Sequence, residues 1–310
     1  MSNIASQPPR AMHTSHIKKD SSQIVINIIT YIFVTIFCIM CILPFWMIIA
    51  SSFSTEDAIR RTGFTLWPTD SSTYSYELLF RSPDQMIGAY VVTICLALCG
   101  TVVGLFIIAM TGYALQRRDF PLRNGIMFYI YFTSLFSAGL VPFYLLIVQT
   151  LNLRDTYWAI LLPLLMSPWL IVLMKNFVKA IPHEITESGK IDGAGDFRIF
   201  YALILPNLKP ALATIGLFLA LSYWNEWYYS SLFLTSKVEY RPLQYHLYNV
   251  INKVASLKNS IAGSNVVITD LPGETLKMAT AVIATGPIIL LYPFVQKYFV
   301  AGLTVGAVKG

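Results

Sequence analysis

Three groups of residues in this chain have side chains whose types and spacing could do chemistry. Cys38-x-x-Cys41 has the spacing of a redox or metal half-site. That chemistry needs further soft ligands, and neither a second C-x-x-C nor a nearby histidine supplies them. Cys95 and Cys99 also lie inside apolar runs, so the four cysteines read as small apolar side chains without a disulfide framework. The second group is Tyr223-Trp224-Asn225-Glu226-Trp227-Tyr228-Tyr229. Its ring faces could stack on sugar rings while Asn225 and Glu226 hydrogen-bond hydroxyls; the same residues would equally suit an aromatic belt at a membrane surface. The third is ESGKIDGAGDFRIFYALILP, residues 187–206, which carries charges, three glycines and a closing proline between two apolar runs. Its acid, small residues and isoleucine suit seating in another protein's groove, or a solvated loop followed by an interfacial helix.

Other chemistries are missing. No G-x-x-x-x-G-K-[ST] occurs, so no P-loop binds ATP. H-E-x-x-H and the nucleophile elbow are also absent. The middles of the apolar runs hold almost no ionisable residues, whereas ion-coupled pumps place some there. No catalytic residue and no metal site is assigned, and a self-powered transporter or an intramembrane enzyme is disfavoured.

The elements that must position these groups are apolar. Of 310 residues, 55% are apolar and 12% charged, about half the charge of a soluble domain at roughly 25%, and mean hydropathy is +0.60. Lipid is the solvent that fits. Six stretches reach the length of about 20 residues that a spanning helix needs: 24–50, 87–115, 125–150, 157–178, 207–229 and 276–300. Lipid offers no hydrogen bonds, so each must satisfy its own backbone as helix, which predicts an all-α membrane protein with six transmembrane helices. The polar start resembles a signal n-region, but the run at 24–50 is far longer than a signal core and no A-x-A follows it. It reads as a retained first span.

The net charge of +6 reads as topology rather than as nucleic-acid binding. One side would hold Arg10, Lys18 and Lys19; Arg117, Arg118 and Arg123; Lys175, Lys179, Lys190, Arg198 and Lys209; and Lys297 and Lys309. These thirteen basic residues face nine on the other side, including Arg60, Arg61 and Arg81. Both termini and residues 187–206 are therefore expected on the cytoplasmic side. Pro44, Pro142, Pro163, Pro168, Pro287 and Pro293 should interrupt or end helical runs. Gly100-x-x-x-Gly104 should let another helix approach closely.

Within the polar segment, Pro182 suits a first helical turn. A short helix over 183–192 would end at Gly193 in the left-handed conformation. Asp196 can cap a second helix, along which Phe197, Phe200 or Tyr201, and Ile204 would form one apolar face. Pro206 and Pro210 then mark the entry to the fifth span.

Glu187-Ser188-Gly189, three residues, Gly193, nine residues and Leu203-Ile204-Leu205-Pro206 resemble the EAA motif of ABC-importer permeases, with the spacing kept throughout. Ser188 and Gly189 stand for its two alanines and Leu203 for its first isoleucine. Ile191-Asp192-Gly193-Ala194, Lys209-Pro210-Ala211-Leu212, Trp224-Asn225-Glu226 and the tail from Tyr298 to Gly310 are similar to the carbohydrate-uptake branch, and within it to the second permease of oligosaccharide importers.

The resemblance implies the type I permease fold with a cytoplasmic coupling helix seated in a cleft of an ATPase subunit. Glu187 would pair there with a basic residue. Ser188, Gly189 and Gly193 would permit close approach and Ile191 would supply apolar contact, with Asp192, Ala194 and Phe197 in the same contact. Trp224, Asn225 and Glu226 would wall the translocation pathway, and the outer loop at 230–275 would reach a binding protein. The implied partners are a second homologous permease, two ATP-binding cassette ATPases, an extracytoplasmic solute-binding protein and an oligosaccharide. This chain would bind no cofactor, ATP and magnesium belonging to the ATPases. Its organisation would be a cytoplasmic tail at 1–23, a multi-pass permease domain in the cell membrane at 24–300 with its coupling segment at 182–206, and a second cytoplasmic tail at 301–310. A permease for an amino acid or peptide, and a sensor subunit that moves nothing, are the alternatives.

Overall fold

The computed structural model describes residues 21–235, 238–262 and 272–307. Among the described residues the chain is helical apart from one isolated bridge between Ser54 and Ser71. Most of residues 1–23, and Lys237 and Lys309 among the counted charges, lie outside them.

The first long helix, α1, runs over Ser21–Ser52. Two short helices, α2 (Glu56–Thr62) and α3 (Tyr74–Leu79), lead to the second long one, α4 (Pro83–Gln116). Next come α5 (Arg123–Leu135) and α6 (Leu140–Leu145), which runs on as a π turn to Thr150. The helices α7 (Trp158–Leu164) and α8 (Pro168–Lys179) follow. The polar segment holds α9 (His183–Ile191), α10 (Asp196–Arg198), a π turn at Ile199–Ile204 and α11 (Leu205–Asn207). Last are α12 (Lys209–Trp224), α13 (Tyr228–Phe233), α14 (Leu243–Ala262) and α15 (Glu274–Ala307).

By length and composition α1 and α4 can each cross a membrane, and three bent pairs bring the number to as many as five. The chain turns by 115° between α5 and α6, by 44° between α7 and α8, and by 85° between the polar segment and Lys209–Phe233. The sixth expected stretch lies within α15. Pro168 opens α8 and Pro163 lies close to the end of α7. Pro44, Pro287 and Pro293, expected to interrupt helices, instead sit inside continuous ones. A lone proline removes one hydrogen bond and bends a long helix without ending it when the turns on either side remain bonded.

Apolar helices gain little from leaving lipid, so close packing must hold them together. Along α4 the glycines provide it. A Cβ on Gly100 would lie 2.2 Å from the Tyr223 ring, and one on Gly112 would lie 2.7 Å from Met174. On Gly104 it would stand 3.0 Å from the Leu165 carbonyl. These positions seat α12 and α8 against α4 and enclose a core of Ile108, Met174, Ile199, Ile215 and Leu219. By contrast, α1 is exposed from Ile24 to Trp46 and α5 buries no side chain. Those faces are left for lipid or another chain.

The end of the bundle opposite the polar segment is tied by side-chain caps. Glu56 Oε2 accepts from the backbone N–H groups of Gly273, Glu274 and Thr275 at 2.7, 3.0 and 3.2 Å. It thereby satisfies orphan donors at the start of α15 from 217 residues away. Asp155 Oδ1 accepts from both the N–H and the hydroxyl of Thr235 at 2.6 Å.

Candidate functional site

The polar segment folds as two helical pieces joined by a tight turn. Pro182 precedes α9, and Gly193 ends it with φ +73°, where an L side chain would be strained. The Gly193 N–H donates to Lys190 O and the Ala194 N–H to Gly189 O, closing the helix end. Gly189 faces inward: a Cβ there would lie 2.8 Å from Leu203 Cδ1 and 3.1 Å from Ile199. The close approach that this glycine allows is therefore between the two halves of the segment. Ala194 is half-buried.

The other expected contact residues point outward. Ile191 is 86% exposed and Phe197 61%, while Glu187, Ser188 and Asp192 are exposed beside them. Among the described residues Glu187 has one weak partner, His183 Nε2 at 3.7 Å. Two bare apolar side chains on a polar projection are what a groove in another protein would cover.

Two details of the second half differ from expectation. Phe200 and Ile204 face inward as expected, but the third buried position is Ile199 and Phe197 is exposed. Ile199 opens the π turn at Ile199–Ile204, whose wider i→i+5 pitch brings it onto the same face as Ile204. Asp196 does not cap the helix, whose N-cap is Gly195. Its Oδ1 instead meets Arg117 Nη1 at 2.7 Å.

That ion pair belongs to a network that sequence periodicity did not reveal. Arg117, directly after α4, donates from Nε to Asp119 Oδ1 at 2.9 Å and from Nη2 to Oδ2 at 2.6 Å. Lys190 Nζ donates to the same Oδ2 at 2.9 Å. The Arg117 guanidinium also lies over the Tyr113 ring at 5.9 Å. The hydrogen bonds from Arg117 and then Lys190 hold the Asp119 carboxyl well below the usual carboxylate range. A carboxyl with a depressed folded pKa stabilises above its unfolded pKa, and that stability is lost only as pH falls through the folded value. The network is thus intact at neutral pH. The available signal was a basic residue two positions before an acid at the end of a span.

At the far end of α12 the three expected pathway residues separate. Trp224 is 8% exposed, and its Nε1–H donates to Ala284 O at 3.0 Å, locking α12 to α15. Glu226 is 7% exposed. Its carboxylate accepts from the Tyr229 N–H, from the Ser230 N–H at 3.2 Å and from the Ser230 hydroxyl at 2.5 Å, which caps α13. Asn225 is exposed, and its Oδ1 accepts from Gln244 at 3.4 Å. Beside it stand partly open rings: Trp227 packs on Tyr248 at 4.9 Å and meets Tyr228 at 6.0 Å. Gln244 and Tyr248 were not found from sequence, because a second helix brings them to the cluster. Glu226→Ala should cost about 1–2 kcal/mol by removing a cap. Denaturation of the purified chain checks this, with Ser230→Ala expected to lose part of the same stability.

The sequence over residues 100–305 matches the family described as binding-protein-dependent transport system inner membrane component. The chain is 37% identical over 286 residues to the polygalacturonan/rhamnogalacturonan transport system permease protein YtcP of Bacillus subtilis (strain 168), spanning 92% of this chain and 98% of that protein. It is 27% identical over 283 residues to the arabinooligosaccharides transport system permease protein AraQ of the same organism, spanning 90% and 94%. Among solved structures, a bacterial ABC transporter involved in import of the acidic polysaccharide alginate aligns with TM-score 0.74 and 30% identity, over 90% of this chain and 98% of the matched one.

Proposed function

The chain belongs to the family of binding-protein-dependent transport system inner membrane components, and on that premise we propose that it forms half of the translocation pathway of an ATP-driven oligosaccharide importer. Its partners are a second permease, two ATPases and a solute-binding protein. In this reading six spans, the last within α15, put both termini on one side, and the balance of basic residues makes that side, with residues 182–206, the cytoplasmic one. The observation that carries the reading is the exposed tip at 187–197, with Ile191 and Phe197 bare on a polar projection.

The tip inserts into the ATPase cleft, Glu187 meets a basic side chain there, and Ile191 and Phe197 lose their exposed surface. ATP-driven closure of the ATPases moves the two coupling segments and turns the bundle outward by rigid-body motion. Asn225 with Trp227, Tyr228 and Tyr248 is the part of this chain that meets sugar. The relatives' names make uronic-acid oligomers the first substrates to try.

Proteoliposomes holding the whole assembly should accumulate oligogalacturonides only with internal ATP, external binding protein and this chain all present. Uptake of amino acids or peptides instead, or no uptake while the ATPases remain bound, would overturn the reading in favour of another solute or of a sensor.

A further inference from the structure

We propose that Arg117 and Asp119 clamp the coupling segment to α4, so that motion of the tip reaches α4 directly as well as along the chain into α12. The proposal rests on reading residues 182–206 as the coupling segment. Its basis is the position of two anchors on either side of the tip turn. Lys190 lies in the last turn of α9 and Asp196 in the first turn of α10, and both bind the Arg117–Asp119 stretch that follows α4.

The geometry of Arg117 makes this a clamp. All three of its side-chain nitrogens are engaged: Nε and Nη2 with Asp119, and Nη1 with Asp196. A planar guanidinium cannot turn to relax one such contact without breaking another. Beneath it, Tyr113 of α4 packs on Phe200 of the coupling segment at 5.5 Å between ring centroids. Charge and ring contacts thus bind the same two elements.

The two routes out of the tip differ in stiffness. Along the chain, motion passes through the π turn at Ile199–Ile204, then Pro206, then the 85° bend before α12. Through the clamp it enters a continuous 34-residue helix. The seats at Gly104 and Gly112 then pass it to α12 and α8. Asp119 and Lys190 are each 47% exposed, and exposed pairs add little to stability. Variants at the anchors should therefore fold, leaving force transmission as the property that changes.

The test uses the reconstituted transporter with its ATPases, second permease and binding protein. Lys190→Met and Asp196→Asn each cut one anchor, and the double variant cuts both while leaving Arg117, Asp119 and the ATPase-facing Glu187, Ser188, Ile191 and Phe197 unchanged. Sugar moved per ATP hydrolysed should fall about fivefold or more in the double variant, while ATPase co-purification and hydrolysis stay within about twofold of the parent. Lys190→Arg with Asp196→Glu, which keeps both charges, should retain the parental ratio. A parental ratio in the double neutral variant would overturn the clamp. So would equal loss of ATPase binding and uptake, since the anchors would then serve docking. Failure of the underlying reading has a separate signature: Glu187→Arg would leave the ATPases bound, and both proposals would fall.

Discussion

Replacing Glu187 with arginine should abolish sugar uptake while the chain still inserts and folds. Among the described residues its carboxylate meets only His183, at 3.7 Å one helical turn away, and even with the imidazole protonated such an exposed pair is worth at most roughly 0.3–0.5 kcal/mol. The fold loses almost nothing. At the ATPase cleft a reversed charge would face a positive group as the tip is desolvated. Like charges at an interface cost several kcal/mol, and about 1.4 kcal/mol is already tenfold in affinity. The ATPases should therefore no longer co-purify with the membrane subunits, and uptake should fall to background, with an unchanged melting profile of the isolated chain. Glu187→Ala, which removes the attraction without adding repulsion, should fall between. Full uptake by the arginine variant would remove Glu187, Ile191 and Phe197 from the ATPase contact.

The second large effect is one of stability. Gly100→Val should strongly destabilise the bundle, because a Cβ at this position would lie 2.2 Å from one atom of the Tyr223 ring and 2.3 Å from another. The ring has nowhere to go. Tyr223 is 1% exposed, and its hydroxyl donates to Leu161 O at 2.9 Å. Swinging it aside breaks that bond and opens the seam between α4 and α12, at a combined cost of about 2–5 kcal/mol. For a chain of this size that is a fall of about 3–8 °C in Tm. Thermal unfolding in detergent measures it, and Gly100→Val combined with Tyr223→Ala should recover part of the loss by making room. An unchanged Tm for the single variant would mean that this seam does not set stability.

Both expectations start from residues visible in the sequence, yet they differ in how far it could interpret them. At the tip, local rules sufficed. Pro182 before the helix, Gly193 with φ +73° after it, and an exposed Ile191 between follow from backbone sterics and from a polar setting, both of which act within a few residues. Gly100-x-x-x-Gly104 likewise announced a close helix contact without naming the partner. The ring of Tyr223 had to come from a helix more than a hundred residues later.

Where a side chain had a choice of partners, local rules failed. Asp196 had the identity and position of a cap, but Arg117 offered a charged fork and took it. Trp224 and Glu226 stood in a run suited to sugar, and the packing of α15 and the short α13 turned both inward, leaving Asn225 open and supplying Gln244 and Tyr248 beside it. The apolar face after Asp196 kept Phe200 and Ile204 but took Ile199 in place of Phe197, because a π turn changes the helical register and composition does not encode that.

By itself, then, the amino-acid sequence determined the helical membrane class, the polar segment with its turn, and a spacing that resembles the EAA motif. These depend on hydropathy and on backbone preferences that each residue carries with it. The tertiary structure alone decided which charges bind that segment to the end of α4, which rings remain open, and which carboxylates serve as caps. Those outcomes depend on which distant helix brings the better hydrogen-bond partner within about 3 Å, a competition between groups far apart in the chain that becomes definite only when the helices pack.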